Sequence, residues 1–503
     1  MTLPGGAHTS RERALTELGE RRFDLLVIGG GIVGAGIAST AAAHGLAVAL
    51  VDRGDFGGAT SSASSKLIHG GLRYLRLGDV GLVREAHQER RALMQVVAPH
   101  LVRRLPFLMP LYEDGPYRPF VVKSGILLYS ALARARLSWR VDAERARQLV
   151  PGLRTEGLRS CAMYGDAETN DSRLTLANVR AAADAGATVV NYAEVVALNG
   201  AEGAEITADG RTVHVSARAV VNATGPWIDR VRRLEDPNAA PSMRLSKGVH
   251  VLVDPGRPWT AALTIPHDKV RVSFAIPWEG MLLLGTTDTE HEGDPDEVEV
   301  ADRDIAQVLA EAAIALDPEL LRPERVRAVF AGLRVLPGGE GETASARRET
   351  VYSRGRSGML TVAGGKLTTY RRIALDALEH LRADLGLHRL DRAPHPLPGA
   401  EGGVAFPDGL PAATRDHLLH LYGSLATEVL APAAEDPSLL EPLSPDGPDL
   451  AAQALYAATH EWALTPEDVL RRRTTAWLRG DDAVAAERVA ALLANRMPSS
   501  PRM

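Results

Sequence analysis

The sequence predicts an α/β protein with three parts: a Rossmann-like dinucleotide-binding unit, a second unit on an antiparallel sheet, and a C-terminal helical cap. Three observations carry that reading. A strand, glycine turn, helix and second strand open the chain after residue 22. Short apolar strands that run into glycine recur around residues 219–227, 283–288 and 359–370. Beyond residue 386 the chain turns alanine- and leucine-rich with helical spacing. The composition agrees: 503 residues, 45% apolar and 24% charged, suit two or three globular units and exclude a disordered chain or a coiled-coil rod. The single cysteine, Cys161, excludes a disulfide scaffold and cysteine-held metal centres, and no metal is expected. A net charge of −6 gives no reason to expect nucleic acid. No run of about 18 apolar residues is present, so no spanning helix is expected.

The opening unit justifies the first part. Phe23, Asp24, Leu25, Leu26, Val27 and Ile28 read as a buried parallel strand. Gly29-Gly30-Gly31-Ile32-Val33-Gly34 gives the G-x-G-x-x-G turn, and residues 35–44 read as a helix ended by Gly45. Residues 46–51 form the next strand, closed by Asp52. Gly29 permits the tight turn, Gly31 admits a pyrophosphate to the backbone, and Gly34 brings helix and sheet together. The helix N-terminus offers N–H groups to phosphate, and Asp52 can accept from a ribose hydroxyl.

The triplet does not choose between a nicotinamide and a flavin dinucleotide. The next segment favours FAD. Residues 57–74, GGATSSASSKLIHGGLRY, combine small hydroxyls and glycines with Lys66, His69 and Arg73. A ribityl-pyrophosphate chain and a flavin edge need that density of donors. Only five of the 57 basic residues are lysines, so Lys66 and Lys366 carry extra weight as choices.

Residues 61–75, SSASSKLIHGGLRYL, resemble the signature of FAD-dependent, quinone-linked glycerol-3-phosphate dehydrogenases. Three later blocks match in order: AVVNATGPW at 219–227, LLGTTD at 283–288 and MLTVAGGKLTTY at 359–370. A weaker echo stands at 468–474, DVLRRRT. The resemblance implies a glutathione-reductase or D-amino-acid-oxidase type of FAD domain. It implies FAD contacts at Gly29, Gly31, Gly34, Asp52, Arg53, Thr60, Ser61, Ser65, Lys66, His69 and Gly70. Further contacts fall at Val195, Thr224, Gly225, Gly364, Gly365, Leu367 and Thr368.

The resemblance also implies a substrate with a phosphate and a secondary hydroxyl, sn-glycerol 3-phosphate. Its oxidation at C2 would send a hydride to flavin N5 and release dihydroxyacetone phosphate. Such a site needs cations and one proton acceptor. Matching positions give Arg73, Tyr74, Arg348 and Thr369 for binding, and His250, Arg334 and Lys366 for catalysis. Arginine forks suit phosphate oxygens, and a strand histidine suits the base. His250 is the first candidate base, with His69 behind it. Two departures stand out. Val335 follows Arg334 where the family commonly has proline, and residues 166–171 differ from versions with tryptophan and a second aspartate. Neither removes a proposed chemical group.

The expected organisation is a flexible tail at 1–21 and a discontinuous FAD domain at 22–100, 151–240 and 331–385. A substrate domain takes 101–150 and 241–330, and a helical domain takes 386–503. Residues 115–141 hold five basic and no acidic residues among apolar ones, a pattern that suits contact with anionic lipid. With the family's quinone acceptor, that points to a cytoplasmic enzyme on the inner face of the cell membrane. A homodimer stays open. The competing readings are a glycerophosphate oxidase that uses oxygen and an amine or amino-acid oxidase on the same fold.

Overall fold

The computed structural model describes residues 7–71, 79–113, 115–116, 125, 127–132, 141–199, 203–268, 271–338, 350–445, 447–479 and 482–494. Two sheets organise them. In the first, the strands run in the order Thr350–Arg354, Leu360–Gly364, Arg211–Asn222, Arg22–Ile28, Val48–Val51 and Thr188–Val190. All neighbours from Leu360–Gly364 onward are parallel. A parallel sheet buried on both faces needs strands that are apolar throughout. Leu25 and Val27 face the helices Ile32–Ala43 and Asp171–Asp184, while Leu26 and Ile28 face the opposite layer.

That opposite layer corrects the expectation for the N-terminus. Residues 7–20 are a docked helix, Ala7–Glu20, not a flexible tail. Leu15 and Leu18 bury against Phe23 and Val215, and Arg11 donates to the Asn191 carbonyl at 2.8 Å and to Asp209 at 3.0 Å.

The second sheet has the order Thr289–His291, Met243–Val253, Met281–Gly285, Val272–Trp278, Ala262–Pro266, Val102–Tyr112, Leu158–Thr169 and Leu67–Ile68. Val326–Pro337 pairs with Met243–Val253. Its pairs are antiparallel except Ala262–Pro266 with Val102–Tyr112. This sheet draws in more chain than the expected boundaries allot to it. Leu158–Thr169 joins through a long ladder with Val102–Tyr112, and Val326–Pro337 crosses the expected boundary at 330. Val249, Val251 and Val253 pack under the helix Asp302–Ala312. On the other face His250 meets the 60–65 loop, while Leu252 packs with Phe107, Leu283 and Trp477.

The cap is a separate helical core. Leu418, Val429, Ala452, Ala454 and Val469 are fully buried within it. Among the described residues no helix is long and apolar enough to cross a membrane.

Candidate active site

The glycine turn is built as its spacing requires. Gly29 has φ 104°, and a Cβ there would lie 2.6 Å from the Ala223 carbonyl oxygen. A Cβ on Gly34 would overlap the Gly29 carbonyl, so helix and turn touch directly. At Gly31 a Cβ would stand 2.9 Å from Ser61 Oγ, the atom that accepts the Ile32 N–H at 2.9 Å. Asp52 accepts Gly30 N–H at 2.7 Å and Gly54 N–H at 2.8 Å, one on each carboxylate oxygen. Desolvation outweighs those two donors and pushes its carboxyl up to about 6. Arg53 turns elsewhere: its guanidinium lies over the Trp227 ring at 4.3 Å and pairs with Asp296.

Thr60 donates to the Leu333 carbonyl at 2.7 Å, which ties the 60–65 loop to the second sheet. Lys66 has φ 59° and is buried. Its Nζ donates to Asp171 at 2.7 Å and lies 5.0 Å from both the Trp278 and the Phe330 rings. The charge of Lys66 is thus met inside the protein, where it anchors the serine loop. His69 N–H donates to Thr368 Oγ1 at 3.1 Å, and Gly70 N–H donates to the buried Asp166 at 3.1 Å. Asp166 also pairs with Arg90 and accepts from Tyr129 at 2.8 Å. This holds the 69–70 loop from both sides.

Val195 sits on the strand Glu194–Leu198, two residues beyond Ala193, whose N–H donates to the Asp52 carbonyl at 2.7 Å. Thr224 and Gly225, the latter at φ 56°, form the turn after Arg211–Asn222. Gly364 and Gly365 have φ 78° and 89° and lead into a turn at Leu367–Thr369, then the helix Tyr370–His380. Lys366 is half-buried at its start, and the Thr368 and Thr369 side chains are buried.

The second sheet brings His250 and Arg334 onto one face. Met243–Val253 and Val326–Pro337 pair so that His250 opposes Phe330 and Ser246 opposes Arg334. Directly opposed residues of an antiparallel pair point the same way. Between them Gly248 opposes Gly332, leaving a notch without side chains. The 60–65 loop fills it from above: a Cβ on Gly332 would stand 2.6 Å from the Ala63 carbonyl. His250 Nε2 meets Ser65 Oγ at 2.9 Å, and its ring stacks on Phe330 with centroids 4.9 Å apart. Burial, helped by Arg334 and Lys66, holds the imidazolium well below its usual range, so His250 is neutral at pH 7. Arg334 donates to Thr286 Oγ1 at 2.9 Å and the Thr287 carbonyl at 3.1 Å, with Asp288 at 3.5 Å. Ser246 donates to Asp288 at 2.5 Å. Arg73, Tyr74 and Arg348 lie outside the described residues.

The notch makes two glycine substitutions diverge. Gly332→Ala meets backbone and should cost about 1–3 kcal/mol of stability by overpacking, read as a fall in Tm. Gly248→Ala meets the tip of Arg334 and Thr286 Oγ1 instead. It should cost less Tm than Gly332→Ala and, by displacing the Arg334 fork, lower kcat more than it raises KM.

Several site residues were not singled out from sequence. Asp166, Ser246 and Phe330 act through contacts with distant segments, and Asp171, which fits the family pattern in sequence, shows its Lys66 partner only in the fold. Thr286 and Asp288 fall in the LLGTTD block, which marked the place without revealing that it cradles Arg334.

Residues 24–371 match the FAD dependent oxidoreductase family, and residues 359–501 match the C-terminal domain of alpha-glycerophosphate oxidase. Glycerol-3-phosphate dehydrogenase 2 of Mycobacterium tuberculosis is 38% identical over 499 residues, covering 93% of this chain and 84% of its own. The chain belongs to the FAD-dependent glycerol-3-phosphate dehydrogenase family. It is a flavoprotein oxidoreductase. Alpha-glycerophosphate oxidase of Lactococcus lactis is 31% identical over 564 residues, covering 92% of this chain and 90% of its own. The structure of a glycerol-3-phosphate dehydrogenase from Bacillus halodurans complexed with FAD superposes with a TM-score of 0.77 at 29% identity, covering 98% of this chain and 93% of that one. Glycine oxidase of Geobacillus kaustophilus, at 22% identity and a TM-score of 0.56, covers 76% of this chain and all of its own, and shares the fold.

Proposed function

We propose that the protein oxidises sn-glycerol 3-phosphate at C2 to dihydroxyacetone phosphate and passes the electrons to a membrane quinone. The observation that carries this reading is the shared sheet face of His250 and Arg334, a neutral imidazole beside a guanidinium fork, closed over by the serine loop. FAD, when bound, would supply the redox chemistry as acceptor of the C2 hydride.

The turn fits that cofactor: glycine at 29 and 34 lets it close against Ala223 and the helix, and a side chain at Gly31 would crowd Ser61 at the helix N-terminus. Gly31, in the turn that Gly29 and Gly34 shape, would admit the pyrophosphate to the N-terminus of Ile32–Ala43, helped by Thr60, Ser61 and the Thr224-Gly225 turn. Asp52, with backbone at Arg53 and Val195, would hold the adenosine end, the Arg53 side chain being engaged by Trp227 and Asp296. The Ser65-Lys66 and His69-Gly70 backbone, with Gly364, Gly365, Leu367 and Thr368, would hold the flavin end. His250 takes the C2 hydroxyl proton, and the Ser65 hydroxyl fixes its ring and tautomer. Arg334 and Lys366 stabilise negative charge on the reacting oxygen. Arg73, Tyr74, Arg348 and Thr369 bind the phosphate end.

Asp52 gives this reading a pH signature. A raised carboxyl means that the flavin-free protein holds a proton there below about pH 6. Ribose hydroxyls donate best to the ionised form. FAD affinity should therefore fall as pH drops through 6, and stability of the flavin-free chain should rise over the same window. Titrating FAD fluorescence from pH 5 to 8 checks this, and Asp52→Asn should flatten the profile.

A quinone acceptor is favoured over oxygen by the alignment with the Lactococcus lactis oxidase. At similar coverage of this chain it runs over 564 positions, against 499 for the Mycobacterium tuberculosis dehydrogenase, so that oxidase carries much longer insertions absent here. Exposed Leu127 and Leu128 support lipid contact at the basic stretch, whose charged residues lie outside the described ones.

The test is anaerobic addition of sn-glycerol 3-phosphate to the flavin-loaded protein. Prompt bleaching of the visible flavin band is expected, followed by fast reoxidation by a quinone and slow reoxidation by oxygen. A flavin that stays yellow at saturating substrate would overturn the substrate. Fast reoxidation by oxygen with peroxide release would replace the acceptor.

A further inference from the structure

The echo at 468–474 has a structural counterpart, which the reaction does not use. Asp55 and Phe56 leave the first sheet three and four residues after Asp52 and wedge between the glycine turn and the cap. Gly57 N–H donates to the Gly30 carbonyl at 3.0 Å, and a Cβ on Gly30 would overlap the Phe56 ring. Phe56 is thus the floor of the turn. Against its other side stands the cap residue Trp462, edge-on, with ring centroids 5.7 Å apart. Asp55 is gripped by two cap residues. Arg472 and Arg473 both pair with it, and Arg473 Nη2 reaches Oδ1 at 2.8 Å. Asn191 closes the knot, donating through one amide nitrogen to Asp55 at 3.1 Å and to the Trp462 carbonyl at 2.7 Å.

Burial by itself would raise the Asp55 carboxyl. The two guanidinium groups outweigh it and hold the group below the ordinary range, so the grip is ionic at neutral pH. Arg473 is 0% exposed, and a buried charge cannot be left without its partner cheaply.

We propose that the cap is the backstop of the FAD site: Trp462, Arg472 and Arg473 are positioning residues that hold the 55–57 wedge against Gly30, and FAD retention depends on them. None of the three is placed in contact with the cofactor. They act through Phe56 and Asp55 on the turn that carries the pyrophosphate. The coupling runs both ways, because what the cap does for FAD binding, FAD binding does for the cap. This inference rests on the family's cofactor and not on the substrate.

Two measurements test it on the full chain, stripped of flavin and titrated with FAD. Hydrogen exchange of the unmodified protein needs no variant. FAD should slow exchange at 461–478 more than at the cap helix Ala412–Tyr422. Fluorescence titration of Arg472→Gln and Trp462→Leu should show FAD Kd raised tenfold or more. Leu418→Ala, which empties space in the cap core away from the wedge, should lower Tm and leave Kd within twofold. Exchange at 461–478 that ignores FAD overturns the proposal. So does a folded Arg472→Gln or Trp462→Leu chain whose Kd stays within twofold of the unmodified protein.

Discussion

Replacing His250 by Asn should leave FAD bound and slow its reduction by sn-glycerol 3-phosphate by about 10²–10⁴-fold, the range of a lost general base. Asn keeps a polar group near Ser65 Oγ and much of the contact with Phe330, so the loss reports proton transfer more than collapse of the wall. The pH dependence sharpens the test. His250 sits far below its usual range because it is buried beside Arg334 and Lys66. A phosphate dianion in the site would offset that positive field and raise its affinity for a proton. The limb of kcat/KM should therefore fall at a lower pH than that of kcat, and both should vanish in His250→Asn. Ser65→Ala should fall between, because it removes the partner on Nε2 without removing the base. Stopped-flow flavin bleaching from pH 5 to 9 reads all three. A His250→Asn protein that reduces its flavin at the original rate would move the proton to His69 or another group.

The parts of this molecule that could be read from sequence are those whose partners lie close in the chain. Gly29 and Gly34 constrain one turn and the helix it opens, so the motif and its reason appear together within six residues. The strands at 219–222 and 360–364 were legible for the same reason, as apolar runs ended by glycine. Lys66 shows the limit. Its rarity marked it as a choice, but its counter-charge is Asp171, 105 residues away, so sequence assigned to cofactor a charge that the protein itself neutralises. The LLGTTD block shows it again: only the registers of two strands against Met243–Val253 put Thr286 and Asp288 around Arg334. At the N-terminus the helical signal is local. Ala14, Leu15 and Leu18 repeat at helical spacing, and the structure buries Leu15 and Leu18. Charges of both signs in the segment suit a solvated tail, yet Arg11 pairs with Asp209.

Arg334→Lys should lower kcat/KM by about 10²–10³-fold, the cost of losing a fixed donor at a developing anion. Lysine keeps the charge but not the fork. Arg334 divides its planar donors between Thr286 Oγ1 and the Thr287 carbonyl, which fixes the plane of the group before substrate arrives. A lysine ammonium can satisfy one of those partners and then has no second, pre-aimed edge to offer. How the loss is divided shows what the arginine does. If it binds the phosphate in ground and transition states alike, KM rises and kcat holds. If it meets the oxygen at C2 as its proton leaves, kcat falls and KM holds. The position of His250 on the same face favours the second outcome, because the base and the arginine then address one reacting centre. Asp288→Asn separates position from charge. Asp288 reaches Arg334 directly at 3.5 Å and accepts from Ser246 beside it, so its loss should loosen the fork and cost about tenfold, near 1.4 kcal/mol. In the double variant Asp288→Asn with Arg334→Lys, the two losses should not add, since a lysine has no plane left to orient. Additive losses would mean that Asp288 serves the site by a route that does not pass through Arg334.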